Sequence, residues 1–165
     1  MSTIEIKPLL KSISYLGKML PLFLNETPGD KNQAILETDK VVVTLKPGVA
    51  VDQVLESVVE AFLAKQCKHI ITSRVTHYQT HFKLKPKKIT IEKSFNKWGS
   101  CNSQRELTFN FLLITKPLEA IDYVVVHELC HLMHMNHDRS FWRLLGSILP
   151  GYKETEKLLS QSFEL

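Results

Sequence analysis

The sequence predicts an α+β domain, and three observations carry that expectation. Ile89-Thr90-Ile91-Glu92 and Leu107-Thr108-Phe109-Asn110-Phe111-Leu112 alternate between apolar and polar, the period of half-buried strands. Val51, Val54, Leu55, Val58, Val59, Phe62 and Leu63 form an apolar stripe at helical spacing, and a second helical stretch opens after Pro117. Four of the seven histidines fall within eleven residues of that second stretch, which composition alone does not explain.

A chain of 165 residues is long enough for one domain with a real core. Its 44% hydrophobic and 23% charged content is ordinary for a globular protein, which excludes a disordered chain, a collagen-like chain and a coiled coil. No run of 18 apolar residues is present, so no spanning helix is expected, and the first residues do not read as a secretory signal. Net charge is +4, which helps attract an anionic partner without requiring one. A lysine-rich solvated surface is the plainer reading, and a nucleic-acid partner is disfavoured. Cys67, Cys101 and Cys130 form no disulfide framework and no C-x-x-C pair, so a reducing, cytoplasmic setting is expected.

Taken in order, residues 1–32 read as an N-terminal extension of unclear role, followed by one domain over 33–165. Leu9, Leu10, Ile13, Leu16 and Leu20 recur at helical spacing, which predicts a short amphipathic helix. Pro28-Gly29-Asp30 is a turn. Residues 33–46 read as a hairpin around Thr38-Asp39-Lys40. The helical pattern from Val51 weakens at Cys67-Lys68 and resumes through Ile70, Ile71, Val75, Tyr78 and Phe82, which predicts two consecutive helices or one with a break. A basic loop at 85–88, strands at 89–92 and 107–112, a helix from about Leu118, and shorter helices at 139–148 and 152–161 complete the chain.

The chemistry sits in His127-Glu128-Leu129-Cys130-His131-Leu132-Met133-His134-Met135-Asn136-His137. Residues four apart on a helix lie about 40° apart in azimuth and about 6 Å along the axis. His127 and His131 therefore share a face and reach one cation, while Glu128, about 100° round, flanks it as a base. This is the H-E-x-x-H arrangement of zinc metallopeptidases. With 7 histidines in 165 residues, chance would produce it in roughly 2% of chains of this composition.

The third ligand is His137 or His134. On a continued helix His134 would stand about 10.5 Å along the axis from His127. Nitrogens around one zinc lie only about 3.3 Å apart. His137, six residues past His131, reaches the metal only if the helix ends between them. Asn136 in a left-handed conformation could end it, and Asn136 or Asp138 could cap the next helix. His137 is therefore favoured, leaving a fourth position for water. The spacing fits the longer H-E-x-x-H-x-x-G-x-x-H pattern, although His134 stands at the glycine position and no methionine-turn signature follows.

Other candidates are weaker. Cys130 lies off the shared face and reads as a buried thiol. His77 and His81 are also four apart, with no acid after the first, and read as a solvated face. Lys83, Lys85, Lys87 and Lys88 could meet phosphates but read better as a solvated loop. Trp98, Phe141 and Trp142 read as packing around the site. Gly99 marks a close backbone approach or a bulge. Asn110 could hydrogen-bond a substrate or a loop, and Tyr123, one turn before His127, packs beside it. Tyr152 and Arg139 are candidate contacts to a developing oxyanion by elimination.

Trp98-Gly99-Ser100-Cys101, Phe109-Asn110, Asp122-Tyr123-Val124-Val125-Val126-His127-Glu128-Leu129-Cys130-His131, Asn136-His137, Phe141-Trp142 and Pro150-Gly151-Tyr152-Lys153 resemble the YgjP-like metallopeptidase family over about residues 38–160. The resemblance implies a zincin-like fold, a small β-sheet packed on helices. It also implies one Zn²⁺ per chain on His127, His131 and His137, with Glu128 as general base. Lys97 replaces the arginine usual before the tryptophan, which removes a bidentate guanidinium there.

The expected function is a zinc-dependent hydrolase, a metallopeptidase acting on a peptide or small-molecule substrate with a metal-activated water. A strand at 106–112 could pair with an extended peptide at the cleft edge. One alternative is a metal-dependent phosphohydrolase acting on nucleotides or other phosphorylated substrates. Another is a non-catalytic structural zinc module, which would need Cys130 or His134 as a fourth ligand.

Overall fold

The computed structural model describes residues 5–159. It begins with two strands, β1 (Ile6–Tyr15) and β2 (Lys18–Asn25), where the leucine spacing predicts a helix. The reason lies in an irregularity of β1. Its register shifts between Pro8 and Ser12, and Leu10 sits there at φ 51°, almost fully exposed. Extra residues put the alternation out of phase, and the resulting spacing of three and four imitates a helix. Leu16 and Gly17, at φ 47° and 76°, make the two-residue turn. Positive φ at both positions is what a tight hairpin favours. The turn amides donate to the carbonyls of Ile114 (2.7 Å) and Thr115 (3.1 Å).

The expected hairpin forms as β3 (Gln33–Leu36) and β4 (Val41–Thr44), paired antiparallel. β4 also pairs in parallel with β2, Leu22–Leu24 against Val41–Val43, giving a sheet ordered β1-β2-β4-β3. The division at residue 32 thus runs between strands of one sheet. All four residues of β4 are buried, as its unbroken valine run requires.

One helix, α1 (Val51–Tyr78), spans the stretch where two helices or a break are expected. The apolar stripe does not break at Cys67-Lys68. Cys67 is buried as an apolar residue and continues the stripe from Leu63 to Ile71.

The second sheet has three strands, β5 (Lys88–Glu92), β6 (Gly99–Cys101) and β7 (Glu106–Asn110), ordered β5-β7-β6. β7 is shorter than the alternation predicts, because residues 111–115 turn into a buried 3-10 helix. β7 is also the central strand. Its backbone pairs with β5 on one side and β6 on the other, so it cannot accept a peptide at an edge; β5 and β6 are the two edge strands.

Helix α2 (Leu118–Cys130) follows Pro117, and nine of its 13 residues are buried, including Ile121, Val125 and Leu129. It is therefore a central helix, packed on several faces. Arg74 of α1 locks its azimuth by donating to Asp122 through Nε (2.6 Å) and Nη2 (2.8 Å). The Tyr78 hydroxyl donates to the same carboxylate at 3.0 Å. Helices α3 (Arg139–Ile148) and α4 (Tyr152–Lys157) close the domain. α4 ends before the expected residue 161, and residues 160 and 161 lie outside the described residues. No helix among the described residues is long and apolar enough to cross a membrane.

Candidate metal centre

The six-residue gap from His131 to His137 requires the helix to stop, and it does. α2 ends at Cys130, His131 is its C-cap, and α3 starts after Asp138, whose Oδ1 accepts from the Phe141 amide at 3.0 Å. Asn136 is not left-handed as expected. Among the described residues, the non-glycine residues with positive φ are Leu10, Leu16 and Arg105. The reversal instead uses turn hydrogen bonds from Leu132 to Leu129 and from His134 to Cys130.

This reversal brings one ring nitrogen each of His127, His131 and His137 within 4.8 Å of one another. The Nε2 atoms of His127 and His137 are 2.9 Å apart. His131 Nδ1 lies 3.0 Å from the His134 carbonyl. With Nδ1–H donating there, Nε2 carries the lone pair toward the cluster. His134 thus supplies a carbonyl to the site while its ring stays outside the histidine cluster. Phe141, fully buried, lies against all three rings, with centroids 4.7–4.9 Å away.

The donor set fits a divalent cation. Burial, and then the neighbouring His131 and His137 rings, push His127 down to about 4. His131 is lowered as well, chiefly by burial. Both imidazoles are therefore neutral at pH 7, the state a metal requires. A three-imidazole site with room for water suits zinc.

Glu128 sits beside this cluster, 5% exposed, and burial pushes its carboxyl up to about 8, with Lys97 acting in the opposite sense. A cation on the adjacent histidines lowers it again. A carboxyl group held in this range can both accept and return a proton near neutral pH. Its position depends on Gly99 of β6. A Cβ at Gly99 would lie 2.9 Å from both Cγ and Oε1 of Glu128 and 3.1 Å from Val124 Cγ1. Gly99→Ala is therefore expected to displace the carboxylate. Misplacement of about 1 Å costs on the order of 10²-fold in turnover. Peptide-cleavage kinetics, with bound zinc measured alongside, check this: kcat falls and zinc stays.

Two cavities meet at this residue. One, about 320 Å³, is lined by β6, His131, Met135 and His137. The other, about 400 Å³, is lined by Trp98, Tyr123, Val124, Glu156 and Leu159. Gly99, His127 and Glu128 border both. The Trp98 indole Nε1–H donates to the Leu159 carbonyl at 3.3 Å, fastening the wall of the larger cavity.

The remaining predicted residues separate clearly. Tyr123 packs beside His127, with centroids 5.7 Å apart. Asn110 is buried and holds a loop: Nδ2 donates to the carbonyls of Ser94 (2.8 Å) and Lys97 (3.2 Å), and Oδ1 accepts from the Leu112 amide. Tyr152 stacks between Tyr123 and Trp142, Arg139 is exposed at the start of α3, and neither lines the two cavities. Cys130 is fully buried, its thiol pushed up to about 12 by burial, and it stands outside the histidine cluster. His77 and His81 are exposed and belong to no such cluster among the described residues. Pattern reading does not assign Gly99-Ser100-Cys101 to a strand, because three residues are too few for a period. It also leaves unassigned the bond from the Trp142 indole Nε1–H to the His137 carbonyl (3.2 Å), whose only sequence signal is the tryptophan five residues downstream.

A helix end that converges three imidazoles, with a buried carboxyl group between them and a sheet edge, belongs to the metal-dependent hydrolases of zincin-like fold. The chain is a member of the YgjP-like family, whose metallopeptidase domain matches residues 8–162. The match begins in β1 and so takes in the N-terminal hairpin, well before residue 38. No curated protein matches the sequence significantly. Among solved structures, the metallopeptidase zymogen abylysin of Pyrococcus abyssi is similar in fold, with a TM-score of 0.50 and 21% identity. That similarity covers 54% of this chain and 90% of abylysin. Family membership makes the chain a metallopeptidase and implies a catalytic metal.

Proposed function

We propose that the chain is a zinc-dependent peptidase in which His127, His131 and His137 hold the metal and Glu128 is the general base. The observation that carries this reading is the buried Glu128 carboxyl group, wedged against Gly99 beside three convergent imidazoles. Zinc, when bound, lowers the pKa of a ligated water towards about 7 and polarises the scissile carbonyl.

The chain's own residues do the rest. Glu128 takes the proton of the attacking water on a carboxylate oxygen and returns it to the leaving amine. The outer edge of β6, at Gly99–Cys101, aligns an extended peptide by main-chain hydrogen bonds across the cleft. The cavity between Tyr123, Val124 and Leu159 receives a substrate side chain next to the scissile bond.

The test is a peptide library incubated with zinc-loaded protein, chelator-treated protein, and treated protein resupplied with zinc. A panel of nucleoside triphosphates runs beside it. Cleavage of peptides that disappears on chelation and returns with zinc is the expected result. Zinc-dependent turnover of the triphosphates alone, with the peptides intact, would overturn the peptidase reading in favour of a phosphohydrolase.

A further inference from the structure

His137 differs from the other two histidines in having no helix to hold it. It lies in the turn between α2 and α3 and is exposed, whereas His127 lies within α2 and His131 caps its C-terminal end. A ligand on an exposed loop contributes little affinity unless something fixes its backbone and ring. Trp142 of α3 touches both. Its indole Nε1–H donates to the His137 carbonyl at 3.2 Å, and its ring stacks on the imidazole with centroids 5.8 Å apart and planes 27° apart.

Trp142 is itself held from two sides. Tyr152 of α4 stacks on it at 5.6 Å and 15°, and Phe141 meets it edge-on at 5.1 Å. The Trp142 amide donates to the Asp138 carbonyl (3.2 Å), one residue beyond His137. Tyr152 stacks in turn on Tyr123, one helical turn before His127. The rings thus run from α2 through α4 and α3 to the loop ligand.

We propose that Trp142 is the positioning residue of the metal centre: it fixes His137, and thereby sets the affinity and geometry of the bound ion. The proposal rests on His137 being a ligand, as read above. Outer partners of metal ligands are commonly worth about 10–100-fold in affinity. A residue that merely fills space would change stability without changing the ion's coordination.

The test measures zinc affinity by competition with a chromophoric chelator, and the visible absorption of the Co²⁺-substituted protein. It compares wild type, Trp142→Phe, Trp142→Ala and His137→Ala. Unfolding temperatures are recorded in the presence of chelator. Trp142→Phe keeps an aromatic ring and removes the N–H; it is expected to unfold near wild type, bind zinc several-fold more weakly and show an altered Co²⁺ spectrum. Trp142→Ala is expected to lose about 10–100-fold, approaching His137→Ala. Should Trp142→Ala fail to fold, Trp142→Phe decides alone. Wild-type affinity and spectrum in Trp142→Phe, with zinc lost in His137→Ala, would overturn the proposal and leave the ligand assignment standing. Wild-type affinity in His137→Ala would overturn both.

Discussion

Glu128→Gln is expected to bind one zinc per chain and to hydrolyse peptides about 10²–10⁴-fold more slowly than wild type, the range general-base catalysis supplies. The amide has nearly the shape of the acid, so it fits the space against Gly99, but it cannot accept the water's proton. Elemental analysis and kcat on the same preparation check both halves. Turnover at the wild-type rate would remove Glu128 from the role of base.

The same substitution has a second consequence, of opposite sign. Burial raises the Glu128 carboxyl to about 8 from an ordinary 4.5. Between those values the folded, metal-free protein holds a proton that the unfolded chain releases. The stability of the metal-free protein therefore falls as pH rises from about 4.5 to about 8. Glutamine removes that dependence. Metal-free Glu128→Gln should unfold at a higher temperature than metal-free wild type at pH 8, and the two should converge near pH 4. The gain at pH 7 is on the order of 3 kcal/mol. Thermal scans with chelator at several pH values measure it. Activity and stability then oppose each other at one buried carboxyl group.

His131→Ala is the second large effect, and it is read in metal content. It removes one of the three proposed ligands, the one whose Nδ1 lies 3.0 Å from the His134 carbonyl. Loss of an outer partner alone costs about 10–100-fold in affinity, so loss of a ligand should cost about 100-fold or more. Protein purified without added metal should carry about one zinc in wild type and none in His131→Ala. His134→Ala is the matched control. Its backbone carbonyl survives the substitution and its ring lies outside the cluster, so it should keep its zinc. A zinc-free His134→Ala beside a zinc-bound His131→Ala would reverse the assignment.

Much of the site is legible in the sequence because its chemistry is local. His127 and His131 share a face through the helical period, and Glu128 is placed beside them by the same 100° step. The helix end that His137 needs is also local, and α2 does stop at Cys130. Its means differ from expectation, since residues 131–138 contain no left-handed residue. A reversal can be closed by backbone hydrogen bonds that leave no compositional mark.

Other features are illegible because they depend on pairing between distant segments. The N-terminal leucines look helical by spacing, yet β2 finds its partner in β4, with paired residues nineteen apart, and a bulge scrambles the period of β1. The edge of the second sheet cannot be read from alternation. Leu107-Thr108-Phe109 has the clearer period, but β7 is interior, and the shorter β6 borders the cleft. The roles of Trp142 and Gly99 depend on which side chain each meets across the site.

The sequence by itself determined the proposed reaction centre: two imidazoles, a carboxyl group and a third imidazole beyond a helix end, at spacings that backbone geometry turns into convergence. Only the tertiary structure decided which strand faces the cleft, that Glu128 is buried against Gly99, and what holds His137. Local periodicity specifies neighbours on one element, whereas burial and contacts across elements exist only once the long-range pairings have formed.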